Sequence, residues 1–331
     1  MSALAPWIAE QSRQLLAQRG HAWLLQGPSG LGQYSLALAL VRAWLCENPG
    51  EEGACGQCPS CHAIDVHTHA DLCVLMPEVA MLELGWPLDE KAQAELDEKK
   101  RKPSKEIRIE AMRDAIEFAQ RTSARGRGKA VLVFPAERMN NVTANALLKT
   151  LEEPPGDVRF VLASEAAHLL LPTIRSRCLG HTMHWPDEPA SLAWLRAQGI
   201  ADLDAPILLR AAGGRPEDAL RFADSTRHPK SWSNLPRAVA RGEVGVFKDW
   251  TPAQVIDALH KLCHDLLARQ VGAVPRFFDA SELPAASSLA ALNAWARELA
   301  RASRTAEHPF NSGLMLEDLV SRAQSALNSK L

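Results

Sequence analysis

Residues Gly27-Pro28-Ser29-Gly30-Leu31-Gly32-Gln33-Tyr34 carry the glycine frame of a phosphate-binding P-loop, a pattern that folds only between a buried strand and a helix. A short apolar run at residues 22–26 leads directly into the frame, and helical character continues over residues 35–45. The flanks therefore predict strand, loop and helix in that order. A working loop reads G-x-x-x-x-G-K-[ST], in which the Lys reaches the β- and γ-phosphates and the hydroxyl binds Mg²⁺. Gln33 and Tyr34 stand at those two positions. The amide brings no charge, and a neutral phenol is a bulky, poor Mg²⁺ ligand. The expectation is a loop that folds as usual yet fails to hold a nucleoside triphosphate for hydrolysis.

Further apolar runs follow at residues 71–76, 129–134, 158–163 and 180–185, separated by helical patterns such as Ile109, Met112, Ile116 and Ala119. This alternation predicts five strands in one parallel sheet covered by helices. Between the second and third runs, residues 81–105 include the charge-dense Asp97-Glu98-Lys99-Lys100-Arg101-Lys102 before Pro103. Mixed charges with Trp86 as the lone aromatic read as a solvated, partly disordered insertion, the alternative being a nucleic-acid patch. The third run, Val131-Leu132-Val133, ends in Phe134 and Pro135. A nucleotide hydrolase places an Asp for Mg²⁺ and a Glu for water at such a strand end. Neither residue present can ligate a metal or accept a proton, and Glu137 lies beyond the proline, aimed elsewhere.

Four of the seven cysteines, Cys46, Cys55, Cys58 and Cys61, read C-x8-C-x2-C-x2-C. The residues ahead of the first strand lack the basic-then-apolar pattern of an export signal, so a reducing, cytoplasmic setting is expected and zinc is favoured over disulfides. Cys46, at the end of the helix after the P-loop, would close the tetrahedron. Four thiolates leave no open position, which makes the expected Zn²⁺ structural; the alternative is a set of reduced surface thiols. His62, His67 and His69 read as loop histidines, and Cys73, Cys178 and Cys263 as small packed hydrophobes. A net charge of −2 gives no general pull toward nucleic acid. The longest apolar stretch, residues 34–45, is interrupted by Arg42 and too short to span a bilayer, so no membrane partner is expected.

Asn145-Ala146-Leu147-Leu148-Lys149-Thr150-Leu151-Glu152-Glu153-Pro154-Pro155, followed by Phe160-Val161-Leu162-Ala163-Ser164 and Ile174-Arg175-Ser176-Arg177-Cys178, resembles the clamp-loader branch of the AAA+ ATPases. The resemblance covers roughly the first two thirds of the chain. It implies an α/β AAA+ P-loop domain with a parallel sheet over residues 1–185, carrying the zinc module near 46–61. A small helical lid (186–228) and an all-α oligomerisation collar (229–331) would follow, with Trp185-Pro186-Asp187-Glu188-Pro189 at the first boundary. It places Phe134 and Pro135 at the Mg²⁺-binding and water-activating positions and Ser164 at the polar sensor of the γ-phosphate. Glu217, in Gly214-Arg215-Pro216-Glu217-Asp218-Ala219-Leu220, falls where active members hold an Arg. No functional ATP or Mg²⁺ is expected.

Arg177, in Ser176-Arg177-Cys178, is implied by the resemblance to act in trans as an arginine finger in a neighbour's ATP site. The alternative is a guanidinium paired with a local carboxylate on a turn. The implied role is that of a non-hydrolysing, stator-like member of a hetero-oligomer that loads a sliding clamp onto primed DNA for the bacterial DNA polymerase III holoenzyme. The implied partners are the motor (gamma/tau) and delta subunits, the sliding clamp, and primer–template DNA through the assembly. Any nucleotidyltransferase activity would belong to the holoenzyme. Two rivals stand beside this reading: an active clamp-loader-type ATPase, and a zinc-dependent nucleic-acid-binding module on a P-loop scaffold. The second is disfavoured by few bases and only distant aromatics around the cysteines.

Overall fold

A computed structural model describes residues 4–223, 229–285, 288–306 and 311–329, and the chain divides into two compact units, Met1–Pro186 and Asp187–Leu331. In the first unit, helix α1 (Pro6–Leu16) precedes strand β1 (Ala22–Gln26), the glycine loop and α2 (Gln33–Leu45). There follow α3 (Pro59–Asp65), β2 (Leu72–Leu75), α4 (Glu78–Glu83), α5 (Glu90–Asp97), α6 (Ile109–Gln120) and β3 (Lys129–Val133). The unit closes with α7 (Asn141–Glu152), β4 (Val158–Ser164), the single turn α8 (Pro172–Arg175) and β5 (Leu179–Thr182).

All pairings in the five-stranded sheet are parallel, in the order β2-β3-β4-β1-β5. The inner strands are apolar throughout because both faces are covered. Leu24, Val131, Val133, Phe160 and Leu162 pack with Met112 and Ala115 of α6 and Leu147 and Leu151 of α7. The alternate residues Trp23, Leu25, Leu132 and Val161 are buried on the other face, where α2 packs against β3 and β4. This layering places the glycine loop at the C-terminal end of a central strand, flanked by β4 and β5. Open α/β sheets form their ligand crevices at that end.

Residues 81–105 are for the most part exposed, as a solvated insertion would be, but they are folded where partial disorder was expected. They contribute α5 and the end of α4, and Trp86 between them is buried. The charges satisfy one another: Arg101 donates to Glu78 at 2.8 Å and to Glu95 at 2.7 Å, and Glu78 also accepts the Ser104 N–H at 2.8 Å. The run of bases is thus partly an internal brace.

The second unit is helical: α9 (Glu188–Ala197), α10 (Ala205–Ala211), α11 (Pro216–Ala223), α12 (Pro229–Ala240), α13 (Pro252–Gln270), α14 (Leu289–Arg304) and α15 (Ser312–Leu327). Leu195, Phe222, Trp232, Leu259, Leu292 and Leu319 belong to one apolar cluster, so packing is continuous across the expected lid and collar. The boundary expected at 228/229 adjoins residues 224–228, which lie outside the described residues. Trp232 stacks on Phe278 at 4.7 Å. The fully buried Asp265 of α13 accepts the backbone N–H groups of Arg276, Phe277 and Phe278 at 2.7–2.9 Å, pinning that segment to the helix. Among the described residues no helix is long and apolar enough to cross a membrane.

Candidate functional site

Gly30 and Gly32 adopt φ of +77° and +95°, left-handed values that side-chain-bearing residues rarely tolerate, so the glycine frame does close the loop onto the start of α2. Gln33 fills it. Its side chain is buried, and Nε2 donates to the carbonyls of Gly27 (2.8 Å) and Pro28 (2.7 Å). The position that would supply a cation to a triphosphate is spent on stitching the loop to itself.

Tyr34, at the Mg²⁺-ligand position, faces Phe134 with ring centroids 5.4 Å apart. Its hydroxyl accepts the indole N–H of Trp86 at 2.7 Å. Burial raises the phenol's pKa, outweighing that hydrogen bond, and keeps the group neutral. His67 stacks on the Trp86 ring at 3.9 Å, its Nδ1 3.0 Å from the Gly85 carbonyl. The corner where a hydroxyl and an aspartate would meet a metal therefore holds an aromatic block. Glu137, the one nearby carboxylate past Pro135, accepts from the Ser164 hydroxyl at 2.7 Å and the Glu165 N–H at 3.2 Å. Ser164, which the resemblance expected at the sensor position, is fully buried in that contact. In the second unit, Arg215 of the Gly214–Leu220 run pairs with Asp218 at 2.8 Å, one residue past Glu217.

Arg177 follows α8 on the turn before β5. Its guanidinium pairs with Glu152, the last residue of α7, and Nη1 donates to the Thr173 carbonyl at 3.0 Å. Its Nε is buried without a hydrogen-bond partner among the described residues. Ser176 donates to the same Thr173 carbonyl at 3.2 Å, whereas Arg175 is exposed. Cys178 is half-buried, its thiol pushed up to about 12 by burial. The chain by itself thus makes the local ion pair that formed the alternative reading of Arg177. Nothing in the sequence pattern singles out Glu152 as the partner, because the two lie 25 positions apart.

Cys46, Cys55, Cys58 and Cys61 converge so that their sulfur atoms all lie within 4.8 Å of one another. Cys46 Sγ and Cys58 Sγ are 3.8 Å apart, about the edge of a tetrahedron with ~2.3 Å zinc–sulfur bonds. Cys58 caps α3, its sulfur accepting the Cys61 N–H at 3.4 Å, and Cys46 Sγ accepts the Cys55 N–H at 3.3 Å. Burial, and after it the hydrogen bond with the Cys58 sulfur, push the Cys61 thiol up to about 12, and repulsion from Cys46 adds to this, since thiolates this close repel unless a cation lies between them. The donor set fits Zn²⁺. The Glu47 carboxylate braces the module, accepting from the Ser60 N–H and hydroxyl at 3.1 and 2.8 Å and pairing with Arg125 at 3.2 Å. Arg42, buried in α2, pairs with Asp65 of α3. His62, His67 and His69 stand outside the cluster.

A family profile described as DNA polymerase III, delta subunit, matches residues 9–185. The DNA polymerase III subunit delta′ of Pseudomonas aeruginosa is 39% identical over 227 residues, covering 67% of this chain and 62% of that protein. Its Escherichia coli counterpart is 34% identical over 221 residues, with coverages of 65% and 59%. The chain thus spans about three fifths of the length of these curated relatives. A solved DNA polymerase III gamma subunit-related protein from Thermotoga maritima superposes with a TM-score of 0.50 at 16% identity, covering 97% of this chain and 99% of that one, a likeness of fold alone.

Proposed function

The chain belongs to the DNA polymerase III delta-subunit family, and on that premise we propose that it serves in the clamp loader as a delta′-type, non-hydrolysing, stator-like subunit. In this reading it helps load a sliding clamp onto primed DNA beside gamma/tau motor and delta subunits, with residues 186–228 acting as lid and 229–331 as oligomerisation collar. The observation that carries the reading is the filled nucleotide corner. Gln33 is consumed by the loop carbonyls, and Tyr34, Phe134 and Trp86 occupy the space a metal and its water would need. Loss at the Lys, hydroxyl and both carboxylate positions removes charge stabilisation and nucleophile activation together. The four cysteines hold a structural Zn²⁺ that braces the module without taking part in chemistry.

Arg177 is then free to serve a neighbour. Its pair with Glu152 is half-exposed, the side chains being 28% and 50% accessible; such pairs are worth about 0–1 kcal/mol. A multiply charged phosphate competes successfully with one carboxylate for a planar guanidinium fork. In the reconstituted complex, Arg177→Ala should leave assembly and the melting of the lone subunit nearly unchanged while lowering clamp- and DNA-stimulated ATP turnover. Arginine fingers contribute about 10³–10⁵ in rate at the site they complete, so the loss is near-total at one interface and partial over the whole complex. Lys at 177 should rescue poorly. Unchanged turnover by a correctly assembled complex would remove the trans-acting role.

A further inference from the structure

At the N-terminal ends of the strands, opposite the glycine loop, lies an open cavity of about 760 Å³ lined by Arg19, His21, Trp44, Arg127, Asp157 and Arg159. One five-residue strand, β1, separates it from the P-loop, a distance of roughly 16 Å. The filled nucleotide corner therefore does not touch it. We propose that this cavity binds a nucleotide unit, phosphate held by the three arginines and base against Trp44.

The arginines arrive from three separate segments: Arg19 from the turn before β1, Arg127 from the turn before β3, and Arg159 from the second position of β4. Three arginines around one opening give it a positive rim that favours an anion. Asp157 is the one acid in the lining; it lies 3.7 Å from Arg159 Nε, leaving two guanidiniums uncompensated. Arg19 and Arg127 are exposed, and among the described residues neither has an ion pair or hydrogen bond. Arg159 sits 5.8 Å from the half-buried Trp44 ring, so cation and indole face form one platform. Guanidinium forks beside an aromatic face are the chemistry that receives phosphate and base together, free or in a strand.

The platform is built on fixed backbone. The fully buried carboxylate of Asp71 accepts the N–H groups of Ala124 (2.7 Å) and Arg125 (2.8 Å) and the Ser123 hydroxyl (3.0 Å), which anchors the turn carrying Arg127. Gly128, at φ +76°, lets that turn close on the start of β4: a Cβ there would meet the Asp157 carbonyl oxygen at 2.5 Å. The backbone that carries Arg127 and Arg159 at adjoining edges of the opening is thereby fixed, and the ordering left for binding is that of the side chains.

The test uses the zinc-loaded full chain, a short labelled oligothymidylate followed by anisotropy, and ATP and inorganic phosphate by equilibrium dialysis. Neutralising the one phosphate held by the three arginines predicts an oligonucleotide affinity that falls about threefold between 50 and 200 mM salt. The charge-reversed Arg19→Glu/Arg127→Glu variant should keep its zinc and melting temperature and lose about tenfold or more in affinity. Sensitivity of both oligonucleotide and ATP supports a nucleotide unit from either source; sensitivity of only one identifies the source as a strand or a free nucleotide. Absence of binding, or binding indifferent to the reversal as a P-loop ligand would be, overturns the proposal. Phosphate binding as tight as ATP overturns the nucleotide class.

Discussion

Gln33→Lys with Tyr34→Thr rebuilds the P-loop consensus in two substitutions, and the structure predicts that the product is a weaker protein with no ATPase activity. Lys at 33 costs little, because an ammonium can donate to the same Gly27 and Pro28 carbonyls that Gln33 now holds. Thr at 34 costs more. Trp86, 7% exposed, loses the acceptor for its indole N–H; an unpaired buried donor costs about 1–3 kcal/mol. The ring contact with Phe134 is lost as well, about 0.5–1.5 kcal/mol for an aromatic pair. Together these come to about 1.5–4.5 kcal/mol, or about 3–18 °C in melting temperature for a unit of this size. Scanning calorimetry reads the first outcome and phosphate release from Mg-ATP the second. Turnover should stay at background, because Phe134 and Pro135 supply no carboxylate and Glu137 is held by Ser164 and Glu165. Tyr34→Phe isolates the hydrogen bond and should carry the larger share of the destabilisation. Hydrolysis at a motor-subunit rate, or an unchanged melt, would refute the argument that the aromatic block replaced the metal site.

Purified chain should hold close to one zinc ion, because closed four-cysteine sites contribute about 10–16 kcal/mol of apparent binding free energy in small peptides. Elemental analysis of Cys58→Ser/Cys61→Ser should find the metal gone and circular dichroism should find the sheet intact; stoichiometric metal in that variant would sink the assignment. The Asp71 carboxyl would be raised by burial alone, but the Ala124 and Arg125 N–H groups, the Ser123 hydroxyl and Lys129 hold it below its ordinary value. Its contribution to stability is therefore present in full above the unfolded pKa of about 3.9 and lost as pH falls through the lower folded value. Asp71→Asn should lower the urea midpoint at pH 7 by the equivalent of about 1–3 kcal/mol and flatten the loss of stability in acid; equally steep acid curves for variant and parent would count against it. In the second unit, Asp265→Asn replaces two acceptor oxygens with one and turns a donor toward backbone N–H groups. Urea denaturation should show a loss of about 1.5–3 kcal/mol, and an unchanged midpoint would mean that the segment 276–278 is held by other contacts.

Much of the α/β unit could be read from the chain alone, because its signals are local. The strand at residues 22–26, the glycine spacing, the apolar run before Phe134 and the cysteine intervals are set by neighbours in sequence, and each dictates backbone geometry or ligand reach within one turn. The identity of Gln33 and Tyr34 already implied a missing cation and a missing metal ligand. What fills the gap was illegible: Trp86 reaches Tyr34 across 52 positions, from a charge-dense and mostly exposed stretch that gives no local sign of one buried ring. Arg177 shows the same division. Its motif could be recognised, but its pairing with Glu152 depends on α7 ending beside the turn that precedes β5. The three arginines at the opposite end of the sheet carry no pattern at all, since β1, β3 and β4 become neighbours only through the parallel crossovers. Periodicity and spacing report what a residue can do within its own element. Which distant side chain completes, blocks or compensates it is decided by packing, where burial makes each unpaired polar group or charge cost enough to select its partner.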